Sequence, residues 1–590
     1  MKLRLPLAVL SLLILPTVVE YSCSAVWANA GFVSGHTGNG NKLGHTIKLG
    51  HNTKLGHGFK LGHNFKLGHG FKFGHGGLPG HGNFPNPNPN PNPNPNPTPH
   101  GPPENVKSDG AKGDGVTDDT KAINLAIQKS QASGSYAIYF PAGTYLVSDQ
   151  LVLGTVSAVG DGSTSVIEST DYSKATVFSV TGSAAVANLL ITTKPINFNP
   201  GSIPLVGILV QNTGGPITIS GVTITGNFGY DIELVNASNC TITKCSLLNT
   251  GYGNSVVYVA GGALNSAGVA NNNVISGNLF PETSNGYTGQ CKSCIYTYAQ
   301  SASATITGLY ITGNTFNSYG GRMLYLWGGN NIQVTNNLFD LTALDPKLAS
   351  LPNAIFAVGS DLSFIWTMNG LLISGNTFKG PSGWSGDGLF NSATIVLDGI
   401  SSSNPATSAV IQNVQIVNNT ITHSQNSVSV PGVGGYTSSL GSGVSSHGGM
   451  GSIANVTIQG NTFSKIACYG VLLDAVNGAV IRGNTLTDSQ GNGFGLGTHC
   501  TAQMIIDGNQ LGQIGTATGL LNQILVNLGI TTNAAFDVQA GSSVSPLQLT
   551  NNNMTGNAND LSYFWYSSVP LSQSNISGNT DPAALLPNFP

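Results

Sequence analysis

From Lys107 onward the chain is built of short runs in which apolar and polar residues alternate, broken by Gly, Asn, Ser and Thr. Alternation with period two marks strands that turn one face inward. One phrase keeps returning. It reads Ile-Ser-Gly-Asn-Leu-Phe at 275–280, Ile-Thr-Gly-Asn-Thr-Phe at 311–316 and Val-Thr-Asn-Asn-Leu-Phe at 334–339. Variants follow at 373–378, 416–421, 458–463, 481–486, 506–511 and 549–554, and Ile576-Ser-Gly-Asn579 is the last. The key Asn residues stand as little as 23 residues apart (314 to 337, 461 to 484) and otherwise 25 to 43. A repeat of this length with period-two apolar patches indicates a solenoid. Each phrase is a short strand, a tight turn at Gly-Asn and the start of the next strand. Gly tolerates a turn with φ > 0, and each Asn side chain can bond to the Asn of the next coil. The pattern predicts an all-β fold, a right-handed parallel β-helix of about ten coils spaced about 4.8 Å apart.

The first hundred residues lack this pattern. Lys2 and Arg4 precede an apolar run from Leu5 to Val19, and Ala28-Asn29-Ala30 puts small residues before a cut at Gly31. Residues 1–30 therefore read as a secretory signal peptide, too short to span a bilayer comfortably. Residues 31–84 repeat Lys-Leu-Gly-His every six residues, from Lys42 through Lys66 with a Phe variant at Lys72, each copy closed by a His from His45 to His75. Gly at this density builds no core, so the tail is expected to be disordered. It reads as a plain spacer, a transition-metal-binding tract or a polycation for acidic polysaccharide. Residues 85–99 alternate Pro with Asn, and once Thr, and 85–103 form an extended linker. The folded body is expected over 104–580, with a short tail at 581–590.

Charge sharpens this picture. Residues 31–103 contain no acid and six Lys, whereas residues 104–590 hold 23 acids against 13 Lys and Arg. Only 8% of the chain is charged, which excludes a charge-laced helical bundle. An acidic body without a cationic stripe excludes nucleic acid as a partner. The expected product is exported, with no membrane anchor in its mature form, and works outside the cell or at its surface.

The body opens with Lys107-Ser-Asp-Gly-Ala-Lys-Gly-Asp-Gly-Val-Thr-Asp-Asp-Thr-Lys-Ala-Ile123, then Ala137-Ile-Tyr-Phe-Pro-Ala-Gly-Thr-Tyr-Leu146. This stretch closely resembles the opening segment of the pectate-lyase-like superfamily, which includes rhamnogalacturonases and epimerase-like proteins. The resemblance implies a right-handed parallel β-helix and activity on acidic polysaccharides. Asp118 or Asp119 can N-cap a helix running to about Gln131, with Ile123, Ala126 and Ile127 on one face. That helix would cap the open end of the solenoid, which makes Asp114, Asp118 and Asp119 structural rather than catalytic.

Counting back from each Asn phrase finds a second strand per coil. Its outward residues include Asp231, Glu233, Tyr296, Tyr325, Trp327, Asp398 and Asp474. Extra residues at about 340–353, 380–393 and 422–444 fall on one edge and would wall a groove. Lys292 and Arg322 sit at matching places before their strands, and Arg322 and Arg482 are the only Arg beyond the leader. Lyases of the resembled fold use a Lys or Arg to take the C5 proton of a uronate, and Ca²⁺ or a second cation to neutralise its carboxylate. In that scheme Lys292 and Arg322 are catalytic, Asp231 and Glu233 one coil away hold Ca²⁺, and Tyr296, Tyr325 and Trp327 stack on sugars with Asp398 and Asp474 beside them. A salt bridge among the four charged residues is the structural alternative. Hydrolysis by Asp398 and Asp474 is the rival reaction, although the Asp-Asp pair of polygalacturonases is missing, as is the Asp-Pro-His motif of the family's mannuronan epimerases. A non-catalytic polysaccharide-binding rod is the third reading. His423, His447 and His499 show no partner spacing and read as surface or turn residues. Cys240, Cys245, Cys291 and Cys294 have zinc-like spacing, but with Cys468 and Cys500 they read rather as disulfides or buried small residues.

Overall fold

The computed structural model describes residues 101–171, 173–174, 176–194, 205–213, 215–226, 228–249, 255–261, 268–281, 293–299, 305–317, 322–342, 354–358, 367–380, 393–399, 410–423, 442–448, 452–497, 499–515, 534–538, 543–555, 562–565 and 574–580. The leader, the Lys-Leu-Gly-His tract, most of the Asn-Pro linker and the 581–590 tail lie outside the described residues. So do the three insertions expected to wall a groove, apart from their first and last few residues.

The described chain is nearly all strand, in three parallel sheets of 18, 14 and 14 strands. One coil shows the plan. Ser293–Ala299 lies in the third sheet, Thr305–Thr307 and Tyr310–Thr312 in the first, and Thr315–Asn317 in the second. The next coil repeats it with Leu324–Trp327, Gly329–Thr335 and Leu338–Asp340, each pairing in parallel with its counterpart. Inward residues of all three sheets form one apolar core reaching from Val106 to Met554. Within it Phe280, Phe316, Phe339 and Phe378 stack in file, neighbouring centroids 4.7 Å apart. Identical residues at identical coil positions pack face on face, as coil repetition requires.

The Gly-Asn turn is a continuous polar ladder. Asn278, Asn314, Asn337, Asn376, Asn419, Asn461, Asn484, Asn509 and Asn552 are buried. From Asn314 on, each oxygen accepts from the backbone N–H and the Nδ2 of the Asn before it, as in Asn337 to Asn376 at 2.9 and 3.0 Å. Each Nδ2 also donates to a main-chain carbonyl, as Asn376 does to Val334 at 2.8 Å. The residue before each ladder Asn lies in the left-handed region, with φ +64° at Gly313 and +55° at Asn336. Gly or Asn fills that place for the same reason: both enter this region at little steric cost.

The solenoid is longer than the phrase count suggests, since the third sheet alone has 14 strands. Earlier coils keep the left-handed turn residue, at Asn188, Gly221 and Lys244. They replace the ladder Asn by Leu189, Val222 and Cys245, all buried. Cys245 ends the ladder, its backbone N–H donating to Asn278 at 2.9 Å.

A helix spans Thr120–Ser133 and buries Ile123, Ala126 and Ile127 in the common core. It packs on Ala137–Phe140 and Leu151–Gly154. Asp119 precedes it without capping it. Its carboxylate turns back to accept from the N–H groups of Lys112 at 2.6 Å and Gly113 at 2.9 Å. Asp118 accepts from Thr120 N and Oγ1 and from Ser148 Oγ. Asp114 accepts from Thr117 and Val116, whose N–H groups hold it down at about 2. All three acids are engaged in local structure.

Candidate functional site

The expected site residues collect on the outer face of the third sheet, and register sorts them into two rows. One row runs Glu233, Tyr258, Tyr296, Tyr325. The other runs Val235, Ala260, Tyr298, Trp327, Val358, Asp398, His447. Parallel strands repeat about every 4.8 Å, so each row is a ruled line of side chains.

The first part of this face is aromatic. Tyr230 stacks on Tyr258 with centroids 4.9 Å apart, and Tyr296 on Tyr325 at 5.2 Å. Trp327 meets Tyr325 edge-on at 5.3 Å and Tyr298 at 5.5 Å. Tyr325 and Trp327 also rest on Ala393 and Val396, a small apolar cluster outside the main core. The guanidinium of Arg322 lies 4.5 Å from the Tyr325 ring centroid, a cation–π contact. The result is a pre-ordered aromatic strip, half-buried, with one cation on it.

The Ca²⁺ scheme does not assemble. Glu233 and Arg322 stand on strands separated by Ser255–Gly261 and Ser293–Ala299, not by one coil. Ser255–Gly261, the third-sheet strand of the Asn278 coil, is not among the strands expected from the sequence. Asp231 has the outward parity yet is fully buried. Glu233 is desolvated, and burial pushes its carboxyl up to about 7. A hard cation wants six or more oxygens, and among the described residues no group of three His, Cys, Asp or Glu could hold a metal. These residues therefore do not fit calcium. Lys292 lies outside the described residues.

The far part of the face holds what sequence reasoning missed. Asp398 ends the strand Ala393–Asp398, and His447 ends the next, Ser442–His447. They are register partners, with His447 Nδ1 3.1 Å from Asp398 Oδ1. Asp474 follows Val471–Leu473, two positions beyond the Ser445–Leu472 pair, which continues the row past His447. Its carboxylate accepts from His499 N at 2.8 Å and contacts His499 Nδ1 at 2.9 Å. Asp474 is not the outward residue expected: its side chain is 8% exposed against 43% for His499. The only cue was positional, since Asp398-Gly, His447-Gly and Asp474-Ala each close a strand.

His423 is a buried residue rather than a surface one. Its Nε2 lies 2.7 Å from Thr394 Oγ1, and burial lowers it to about 4. Cys240, Cys245, Cys294, Cys468 and Cys500 are buried free thiols, so no disulfide forms among them. Cys291 is outside the described residues.

Comparison with known proteins agrees with this architecture. The family model "Rhamnogalacturonase A/epimerase, pectate lyase-like" matches residues 104–339, so the resemblance read from the opening segment holds over that span. Two curated relatives match short segments. Non-secreted LysM effector LysM15 of Penicillium expansum is 51% identical over 57 residues, 8% of this chain and 4% of that protein. Mannuronan C5-epimerase AlgE1 of Azotobacter vinelandii is 57% identical over 44 residues, 8% of this chain and 3% of that protein. The chain thus spans a few per cent of these relatives' length. Among solved structures, the tailspike protein of E. coli bacteriophage HK620, in complex with a pentasaccharide, superposes with a TM-score of 0.55 at 14% identity, over 81% of this chain and 78% of that one. At that identity the likeness is one of fold.

Proposed function

We propose that this chain is an exported, polysaccharide-active β-helix protein that binds a glycan along the outer face of its third sheet and cleaves an acidic, uronate-containing polymer by β-elimination. The observation that carries the reading is the strip of Tyr258, Tyr296, Tyr298, Tyr325 and Trp327 with Arg322 stacked on Tyr325. Aromatic faces pack on the C–H faces of sugar rings, and a guanidinium among them can engage a carboxylate. The family match over 104–339 and the glycan-bound tailspike support the same class. In this reading the winding is right-handed, the helix Thr120–Ser133 closes the apolar end, and the basic tail holds the body to an acidic matrix.

A second reading is hydrolysis. Asp398 and Asp474 share one row two strand spacings apart, about 9.6 Å, just beyond the separation used by inverting glycosidases. The test is to incubate the full chain with pectate, rhamnogalacturonan, alginate and neutral glucans, with calcium or chelator. Ultraviolet absorbance of an unsaturated uronate and reducing ends are read together. Both signals rising on one polyuronide establish elimination, and reducing ends without absorbance establish hydrolysis. Silence on all of them favours a binding rod.

A further inference from the structure

The geometry points to His447 and His499, each oriented by an aspartate, as the acid–base pair that moves protons in the proposed cleavage. This inference rests on the elimination reading and assigns its proton transfers to these imidazoles rather than to Lys292.

Twice in succession on one outer face, an imidazole turns its Nδ1 edge to a carboxylate: His447 to Asp398 at 3.1 Å and His499 to Asp474 at 2.9 Å. That contact fixes the ring plane and puts each Nε2 on the edge away from its aspartate. The aspartates are the more enclosed or equal partners, 8% exposed beneath His499 at 43%, and 23% alongside His447 at 23%. In the second pair the His499 ring is thus the group a bound chain meets.

The surrounding backbone is shaped to hold this arrangement. Asp474 is clamped by His499 N at 2.8 Å, and its strand is tied down by Ser446, whose Oγ accepts from Asp474 N at 3.0 Å and donates to Asp474 O at 2.8 Å. Gly497 occupies the next place in the row. A Cβ there would stand 2.5 Å from Asp474 Oδ1, so any side chain would displace the carboxylate. The dyads also share a row with Trp327, which lies two strands before Asp398. A glycan laid along that row would meet the aromatic strip first and the imidazoles next.

The step balances without a co-reactant. One neutral imidazole takes the C5 proton of a uronate through Nε2. The C5–H electron pair becomes the C4=C5 double bond, and the C4–O4 bond breaks with its pair leaving on oxygen. The other imidazole, protonated, gives its proton to that oxygen. One ring ends charged and the other neutral, and solvent exchange restores them.

The test compares the full chain with His447→Ala, His499→Ala, Lys292→Ala and Gly497→Ala on the polyuronide that gives the strongest absorbance signal. Turnover, retention on the immobilised polymer and thermal unfolding are measured for each. General acid–base groups contribute about 10²–10⁴-fold. Both His variants should lose at least about 100-fold in turnover, keep wild-type retention and melting, and recover part of the rate with added imidazole. Gly497→Ala should lose turnover too. Wild-type turnover in both His variants, or loss confined to Lys292→Ala, overturns the assignment and leaves elimination standing. An active wild type that releases reducing ends without absorbance overturns the elimination reading itself, and the assignment with it.

Discussion

Asn278 donates twice to one oxygen of Asn314, from its backbone N–H at 2.9 Å and from its Nδ2 at 3.0 Å. Asn314 meanwhile donates its own Nδ2 to Ile275 O at 2.8 Å, so every polar atom of the amide is spent inside a dry turn. Removing one member from the middle strands groups on both sides. Asn376→Ala takes the acceptor from Asn337 N and Nδ2 and a donor from Val334 O. At about 1–3 kcal/mol for each group left unsatisfied, the loss should be roughly 3–5 kcal/mol. Asn579, at the partly buried end of the ladder, should cost less than half of that. Urea unfolding of the two variants checks the contrast, and equal losses would mean the ladder is not cooperative.

The turn residue before the ladder gives a second, smaller effect. Gly483 sits at φ +59°, and a Cβ added there would have nothing within 4 Å, so alanine would meet no clash. Gly483→Ala should therefore cost only the left-handed backbone term, about 1–2 kcal/mol. Gly483→Asn should recover most of it, because Asn336, Asn418 and Asn551 already hold that place at φ +55°. Denaturant midpoints for the pair decide it.

These two features explain how far the fold is legible in the sequence. The Gly-Asn phrase is legible because one backbone geometry and one buried amide recur in every coil that has them. Where Leu189, Val222 and Cys245 replace the Asn, the turn survives but its signature does not, and those coils escape the count. Ser255–Gly261 is missed although its coil keeps Asn278, and that brings Glu233 one coil too close to Arg322. The aromatic strip is legible from strand parity alone. The Asp398–His447 pair is not: 49 positions separate the two residues, and only the closing of a whole coil puts them side by side.

Two buried titratable groups should tilt stability in opposite directions with pH. Burial raises Glu233 from 4.5 to about 7, so the folded state prefers the protonated form. Its contribution is complete below pH 4.5 and is lost as pH rises through about 7. At 1.36 kcal/mol per unit, that loss is about 3 kcal/mol by pH 8. His423 is the reverse: burial lowers it from 6.5 to about 4. Its contribution is present above pH 6.5 and is lost as pH falls toward 4. Glu233→Gln should flatten the alkaline limb of a stability–pH curve, leaving the acid limb unchanged. An alkaline limb as steep as wild type would show that Glu233 is solvated.

The aromatic strip makes the sharpest claim about binding, because its parts should fail differently. Trp327 touches Tyr298 and Tyr325 edge-on and rests on Ala393 and Val396, so its removal opens the strip without exposing the main core. Trp327→Ala should weaken glycan retention about 10-fold, the equivalent of 1.4 kcal/mol, on neutral and acidic polymers alike. Arg322 acts by charge as well as by its contact with Tyr325. Arg322→Ala should therefore weaken retention of polyuronides while sparing neutral glycans, and the difference should shrink as salt is raised. Arg322→Lys should recover only part of the loss, because an ammonium lacks the flat face that lies over the ring. Affinity electrophoresis in gels of pectate and of a neutral glucan, at low and high salt, separates these cases. Equal losses for Arg322→Ala on both polymers would mean the guanidinium merely props up Tyr325, and the preference for an acidic substrate would have to be sought elsewhere on the sheet.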